Sequence, residues 1–116
     1  MSKYSLDVFV LENCHYSNAA LELIDNYNLK NKNIIKISYE DKEKYKTDLI
    51  NTFPQIYLKK NNTKGTLLLG GYNDLKELYD KFYNKYNTNT NTKYINDHPN
   101  ISEKSLLRVI ELINSK

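Results

Sequence analysis

The residues best suited to chemistry are Cys14 and the polar side chains beside it, in the run Cys14-His15-Tyr16-Ser17. A thiolate is the nucleophile of thiol-disulfide exchange, and nearby positive charge or unpaired backbone N–H groups favour it over the thiol. Cys14 directly precedes an amphipathic segment, so we expect it at a helix N-terminus, which offers both. Ser17, one helical turn on, could donate a hydrogen bond to the sulfur. The alternative is a buried, inert thiol, but Asn13, His15 and Ser17 make a polar, exposed setting.

Two further segments carry features that suit a ligand. Pro54 stands directly before a predicted strand, where a trans bond leaves a plain loop and a cis bond frees the backbone N–H and C=O of Phe53 to pair with an extended peptide. Gly70-Gly71 is either a simple turn or, with Asn73 and Asp74, an anion-binding nest at the start of a helix. Together with Cys14, these segments should meet at one end of a sheet.

The elements that position these segments follow from hydrophobic periodicity. Residues 6–11 form an apolar run of strand length, and residues 15–27 show the three- and four-residue spacing of an amphipathic helix. Residues 34–38 predict a second strand, parallel to the first and reached by a right-handed crossover. Residues 41–50 predict a short charged helix with Tyr45, Leu49 and Ile50 facing inward, which must end before Pro54.

The second half of the predicted sheet is a hairpin. Residues 55–59 and 66–69 predict antiparallel strands joined by the polar loop 60–65. Asn73 or Asp74 can then cap a helix. The inward positions of that helix are Leu75, Leu78, Tyr79, Phe82 and Tyr86. The predicted order is β-α-β-α-β-β-α, an α/β class with a four-stranded mixed sheet.

The chain divides into a main domain of residues 1–86 and a tail. Residues 87–100 are expected to form a polar flexible linker, because the alternating Asn and Thr of residues 87–92 offer nothing to bury. Residues 101–116 predict a C-terminal amphipathic helix, which docks either on the core or on another chain. Ser102 precedes its apolar positions Leu106, Leu107, Val109, Ile110 and Ile113.

Composition limits the classes of function. The chain has 116 residues, 40% of them hydrophobic, and a formal net charge of +3, which suits one globular domain. Acidic and basic residues are interleaved, so no nucleic-acid partner is expected. A single cysteine excludes an internal disulfide and a four-cysteine metal site within one chain. The absence of a signal-like or membrane-length apolar run predicts no membrane partner and a cytoplasmic location.

The three segments together resemble the glutaredoxin family. Its members carry Cys-x-x-Ser or Cys-x-x-Cys after the first strand, Thr-x-Pro before the third, and Gly-Gly-x-x-Asp before the next helix. Here these are Cys14-His15-Tyr16-Ser17, Thr52-Phe53-Pro54 and Gly70-Gly71-Tyr72-Asn73-Asp74. The resemblance spans residues 4–86. It implies a thioredoxin-like fold, a cis Pro54 and an oxidoreductase that reduces protein-glutathione mixed disulfides through Cys14.

The resemblance also implies how glutathione, the co-substrate, is bound. Asp74 takes the γ-glutamyl amino group, and N–H groups of the final core helix hold a carboxylate. The implied glutathione-binding set is Phe53, Pro54, Gly71, Asn73 and Asp74, with Tyr16 and Ser17 supporting Cys14. Many glutaredoxins have a lysine three residues before the nucleophile. This chain has Leu11 there, and a lysine from residues 41–48 could replace it.

Ser17 stands where a dithiol glutaredoxin has its second, resolving cysteine, and this leaves three alternatives for the function. In one, Cys14 alone exchanges glutathione with glutathionylated or disulfide-bearing proteins, as a monomer or weak dimer, with no resident metal. In another, Cys14 of two chains and two glutathiones ligate a bridging [2Fe–2S] cluster. Tyr16 and the missing Cys-Gly-Phe-Ser and Trp-Pro motifs favour the enzyme, whereas His15 in place of the usual proline weakens that preference. The third alternative is a redox-inactive thioredoxin-like module whose C-terminal helix binds partners.

Overall fold

A mixed sheet and the helices around it account for residues 3–85 and 88–115, which the computed structural model describes. The elements are β1 (Tyr4–Leu11), α1 (His15–Asn26), β2 (Lys32–Ile37), a 3₁₀ helix (Tyr39–Tyr45), β3 (Gln55–Lys60), β4 (Thr66–Gly70), α2 (Tyr72–Phe82), α3 (Thr88–Asp97) and α4 (Glu103–Ile113). The protein is therefore an α/β protein with a four-stranded mixed sheet. None of the helices in these residues is both long and apolar enough to cross a membrane.

The sheet has the strand order β2-β1-β3-β4. β1 pairs in parallel with β2, with Leu11 opposite Ile37, and antiparallel with β3, with Phe9 opposite Gln55. β4 is antiparallel to β3. The predicted parallel pair and the predicted hairpin are thus confirmed. The last residues of β1 and β4 and the first residue of β3 consequently share one end of the sheet.

The main core lies on the face of the sheet formed by alternate residues of β1. Leu6, Val8 and Val10 are buried there, because successive side chains of a strand point to opposite faces. They join one apolar cluster with residues of all four α-helices. The opposite face carries Phe9, whose ring lies 5.7 Å from the ring of Tyr45 in the 3₁₀ helix. Helices therefore cover one face, and the 3₁₀ helix packs on the other.

The helix predicted at residues 41–50 is present only over its first half and as a different type of helix. The chain instead forms a 3₁₀ helix over Tyr39–Tyr45 and then a turn. The Thr47 hydroxyl accepts hydrogen bonds from the backbone N–H groups of Leu49 and Ile50. This local bonding competes with helix continuation. Leu49, expected to face inward, is 81% exposed, and Tyr45 is 36% exposed.

The expectation of a linker at residues 87–100 is also wrong. Thr88–Asp97 form α3, and Asn91 and Tyr94 on it are buried. The Tyr94 ring packs edge-on against Phe82 of α2, with ring centroids 5.5 Å apart. The Tyr94 ring thus anchors a mostly polar segment, and Ile95 packs against the same core. Residues 86 and 87, which include the expected inward position Tyr86, lie outside the described residues.

The C-terminal helix α4 docks on the core of its own chain. Ser102 caps it, since the Ser102 hydroxyl accepts from the backbone N–H of Ser105 at 3.1 Å. Its buried residues are Leu106, Val109, Leu112 and Ile113, whereas Leu107 is 45% exposed. Of the two expected docking partners for this apolar face, the core of the same chain and another chain, the structure shows the first. The Asn114 side chain then donates to the carbonyl of Phe82 at the end of α2, at 3.0 Å.

Candidate active site

Cys14 is the N-cap residue of α1. Its backbone is extended, with φ −108° and ψ 123°, and its carbonyl accepts the first helical bond, from Asn18 N–H at 2.9 Å. Asn13, with φ 55°, turns the chain from β1 into α1, a conformation that asparagine tolerates well. The thiol is half-buried. It therefore adjoins the unpaired N–H groups of the first helical turn, which contains no acidic side chain.

The sulfur contacts the segment before β3. Cys14 Sγ lies 3.9 Å from the carbonyl oxygen of Phe53, in hydrogen-bonding geometry for a thiol donor. The Phe53–Pro54 peptide bond is cis. Phe53 is itself only 8% exposed. The segment carrying Cys14 and the segment carrying Phe53 and Pro54 are thus in direct contact.

Ser17 has a structural contact of its own. Its hydroxyl oxygen accepts a hydrogen bond from the backbone N–H of Leu11 at 3.0 Å, and the residue is 1% exposed. This bond ties the first turn of α1 to the last residue of β1. Among the described residues no hydrogen bond joins Ser17 to Cys14, so Ser17 fixes the helix that carries the sulfur rather than contacting the sulfur.

The third segment forms the start of α2, but its cap is not the predicted one. Gly71, and not Asn73 or Asp74, is the N-cap residue. Asp74 Oδ2 accepts a hydrogen bond from the backbone N–H of Gly71 at 2.8 Å, half of a capping box. Gly70 has φ +129°, and a Cβ there would collide with the Asp74 carboxylate. Glycine at residue 70 is thus required both by the backbone and by the space that Asp74 fills.

An open cleft of about 420 Å³ brings these segments together. It is lined by Tyr16, Leu49, Ile50, Thr52, Phe53, Leu68, Gly70, Gly71, Tyr72, Asn73 and Asp74. Five predicted site residues are among them: Tyr16, Phe53, Gly71, Asn73 and Asp74. Cys14, Ser17 and Pro54 are not in the lining, and Cys14 adjoins the cleft through its contact with Phe53. The tyrosine of the Cys-x-x-Ser segment is 55% exposed at the rim.

Asp74 carries the only charge among the lining side chains. The three lysines of residues 41–48 are engaged elsewhere: Lys42 lies over the Tyr39 ring, Lys44 pairs with Asp41, and Lys46 pairs with Glu43. Hydrogen bonds from Lys44 and Lys46 lower the pKa values of the Asp41 and Glu43 carboxyls, respectively. No lysine of this segment lines the cleft, so the expected substitute for a lysine at Leu11 is not found there.

Sequence reasoning missed the role of three residues at the site: Leu49, Ile50 and His98. Leu49 and Ile50 form an apolar wall of the cleft, and Thr47, which bonds the turn that places them, is the sequence signal that could have predicted it. His98 lies behind Asp74, with its Nε2 4.0 Å from Asp74 Oδ1. The spacing of Tyr94 and His98 puts both on one helical face. Nothing local to the sequence links that face to Asp74, because the link depends on how α3 docks.

The chain matches no protein-family model, no curated protein and no solved structure. In residues 3–85 and 88–115, no three histidine, cysteine, aspartate or glutamate side chains form a group that could hold a metal ion. The chemical interpretation therefore depends on the cleft itself.

Proposed function

We propose that the protein is a glutathione-dependent thiol-disulfide oxidoreductase of the thioredoxin-like, glutaredoxin type. The observation that carries this proposal is the position of Cys14 at the N-cap of α1, with its Sγ 3.9 Å from the Phe53 carbonyl. A β-α-β unit followed by a β-β-α unit around one mixed sheet is the arrangement that the resemblance implies. Oxidoreductase activity needs only one reactive thiol when glutathione supplies the second.

The cleft offers complementary partners to most parts of a glutathionyl group. The main chain at Phe53 would pair with the cysteinyl part and bring its sulfur to Cys14. Asp74 would bind the γ-glutamyl ammonium, and the N-terminus of α2 would bind the neighbouring carboxylate. Because no cationic side chain is in the lining, the glycyl carboxylate would stay in water. We therefore expect a higher Kd for glutathione than in an enzyme that has such a lysine.

The reaction consists of two exchanges. The Cys14 thiolate attacks the glutathione sulfur of a protein-glutathione disulfide, a Cys14–glutathione disulfide forms, and the protein thiolate leaves and takes up a proton. The thiolate of a second glutathione then attacks the glutathione sulfur of this intermediate. Glutathione disulfide is released, and Cys14 returns as thiolate. In sum, one protein-glutathione disulfide and one free glutathione give one protein thiol and one glutathione disulfide, so the cycle needs no second cysteine in the chain.

The contacts of this chain support the alternatives less well. A cluster-bridged dimer requires a second copy to approach the sulfur closely. Beside Cys14, the rings of His15 and Tyr16 are exposed, with centroids 5.3 Å apart, and they would obstruct that approach. A redox-inactive module would need the apolar face of α4 to bind its partners, but this face is buried against the core of its own chain.

A reconstitution experiment tests the cluster alternative. After anaerobic incubation with iron, sulfide and glutathione, we expect a colourless monomer; a brown dimer would favour the cluster.

A coupled assay tests the proposal. Reduction of a glutathionylated peptide, with glutathione, glutathione reductase and NADPH in excess, should be fast with the wild type. Cys14→Ser should reduce the rate to the uncatalysed background. A matched control moves the thiol, combining Cys14→Ser with Lys64→Cys in the exposed hairpin loop, and should also show only background. A wild-type rate no higher than that of either variant would exclude the proposed activity.

A further inference from the structure

His98 is held in one orientation at the back of the candidate site. Its Nδ1 lies 2.8 Å from the carbonyl oxygen of Tyr94, and its ring stacks on the Tyr94 ring with centroids 3.9 Å apart. A carbonyl oxygen can only accept, so Nδ1 carries the proton of the neutral imidazole. Nε2 is therefore the atom that gains or loses a proton. Only 21% of the side chain is exposed.

Two carboxylates face that nitrogen. Nε2 lies 3.5 Å from Glu77 Oε1 and 4.0 Å from Asp74 Oδ1, both on α2. The other oxygen of Glu77 pairs with Lys81 at 3.1 Å, and Lys81 lies 5.9 Å from the centre of the Tyr94 ring. On the His98 side, the nearest charged residue in the chain is the exposed Asp97, which directly precedes His98. The groups facing Nε2 thus include two carboxylates, one of them shared with a lysine.

Asp74 has one oxygen left for a ligand. Oδ2 accepts the Gly71 N–H, which leaves Oδ1 to bind an ammonium group, and Oδ1 is the oxygen that faces His98. We propose that His98 is a positioning residue that sets the affinity of Asp74 for the ammonium group of the ligand. Neutral His98 leaves Oδ1 to the ligand, whereas the imidazolium competes for it. This inference rests on the proposed function, because it assigns the γ-glutamyl ammonium of glutathione to Asp74.

The direction of the pH effect follows from the charges. Histidine side chains in general change charge between about pH 5 and 8, whereas the ammonium group of an amino acid keeps its charge over this range because its own carboxylate stabilises the charged form. Protonation of His98 adds a positive charge next to Oδ1, while the ammonium group of the ligand keeps its own charge. Ligand binding must therefore weaken as the solution becomes more acidic. For charges about 4 Å apart in a partly solvated site, we expect about a fivefold to tenfold change in Kd.

The experiment measures binding rather than turnover, so that the two proposals can fail separately. S-methylglutathione, which cannot exchange disulfides, is titrated calorimetrically into the full-length Cys14→Ser protein at pH about 5.5 and about 7.5. The Kd should be about fivefold to tenfold higher at the lower pH. Adding His98→Asn, whose amide can still donate to the Tyr94 carbonyl, should leave less than about a twofold difference. Adding His15→Asn instead should preserve the full effect.

A second ligand and a second measurement sharpen the test. S-methylglutathione without its γ-glutamyl amino group should lose the pH dependence. By reciprocity, the intact ligand must lower the fraction of protonated His98, which NMR of the imidazole reports without any His98 variant. Persistence of the pH dependence in His98→Asn, or its absence from the Cys14→Ser protein, overturns the role of His98 alone. A complete lack of binding at both pH values overturns the proposed function as well.

Discussion

Replacing Tyr94 by phenylalanine should stabilise the protein, whereas replacing it by alanine should remove much of its stability. Tyr94 is fully buried between Phe82 and His98. Its hydroxyl oxygen is also buried and has no hydrogen-bond partner within the described part of the chain. Its ring and its hydroxyl therefore contribute to stability with opposite signs, and the two substitutions separate them.

The magnitudes follow from these two contributions. A buried hydroxyl without a partner costs about 1–3 kcal/mol. Phenylalanine removes that group and keeps the ring, so we expect Tyr94→Phe to raise the free energy of unfolding by about 1 kcal/mol. Alanine removes the ring and leaves a cavity, for which the usual loss is about 3–5 kcal/mol. That loss is a large part of the 5–15 kcal/mol that stabilises a typical domain.

Urea unfolding followed by circular dichroism measures both changes. Tyr57→Phe is a matched control, because the Tyr57 hydroxyl donates to Gln55 Oε1 at 3.2 Å and its removal should lower stability by about 1 kcal/mol. Tyr94→Phe less stable than the wild type would show that the hydroxyl has a partner. A loss below about 1 kcal/mol in Tyr94→Ala would refute the docking of α3 and restore the linker interpretation.

Three further predictions concern the supports of the site and the core. Gly70→Ala should lower the free energy of unfolding by about 1–3 kcal/mol, because of its positive φ and the collision with Asp74; Gly65→Ala, measured alongside by urea unfolding, should change it by less than about 1 kcal/mol. Ser17→Ala leaves a backbone N–H at the end of β1 without its partner and should cost about 1–3 kcal/mol in the same assay; no change would contradict that role. Burial raises the pKa of Tyr79, so only the unfolded chain releases this proton just above pH 10, and this group by itself should lower stability by about 1.4 kcal/mol per pH unit there. Tyr79→Phe should make that alkaline decline less steep, and an unchanged slope would contradict the assignment.

The sequence predicts the elements whose signals are local. The apolar run of β1, the helical spacing of α1 and the hairpin of β3 and β4 each depend on a few neighbouring residues, and the structure has all three. Their order places Cys14, Phe53 and Gly71 at one end of the sheet, because parallel and antiparallel pairing fixes which strand ends meet. The sequence alone therefore predicts this part of the candidate site.

The errors arise where tertiary contacts or side-chain bonding outweigh composition. Tyr45, Leu49 and Ile50 predict the inward face of a short charged helix, but the Thr47 hydroxyl bonds the backbone and leaves Leu49 on the surface. The repeated Asn and Thr before Tyr94 predict a linker, but the buried Tyr94 ring, with Ile95 beside it, docks the segment on the core. His98 was missed for the same reason, since only the docking of α3 brings it to Asp74.

The strand order β2-β1-β3-β4 leaves two edges open to unwanted strand pairing. On the β4 edge, the Asn100 side chain donates to the backbone carbonyl of Leu68 at 3.3 Å, which occupies a group that a foreign strand would need. On the β2 edge, Lys32 and Lys36 are exposed, and charged side chains on an edge strand oppose edge-to-edge aggregation. The segment that follows α3 therefore covers part of the β4 edge as well as completing the core. Its removal would expose β4 to association between copies of the chain.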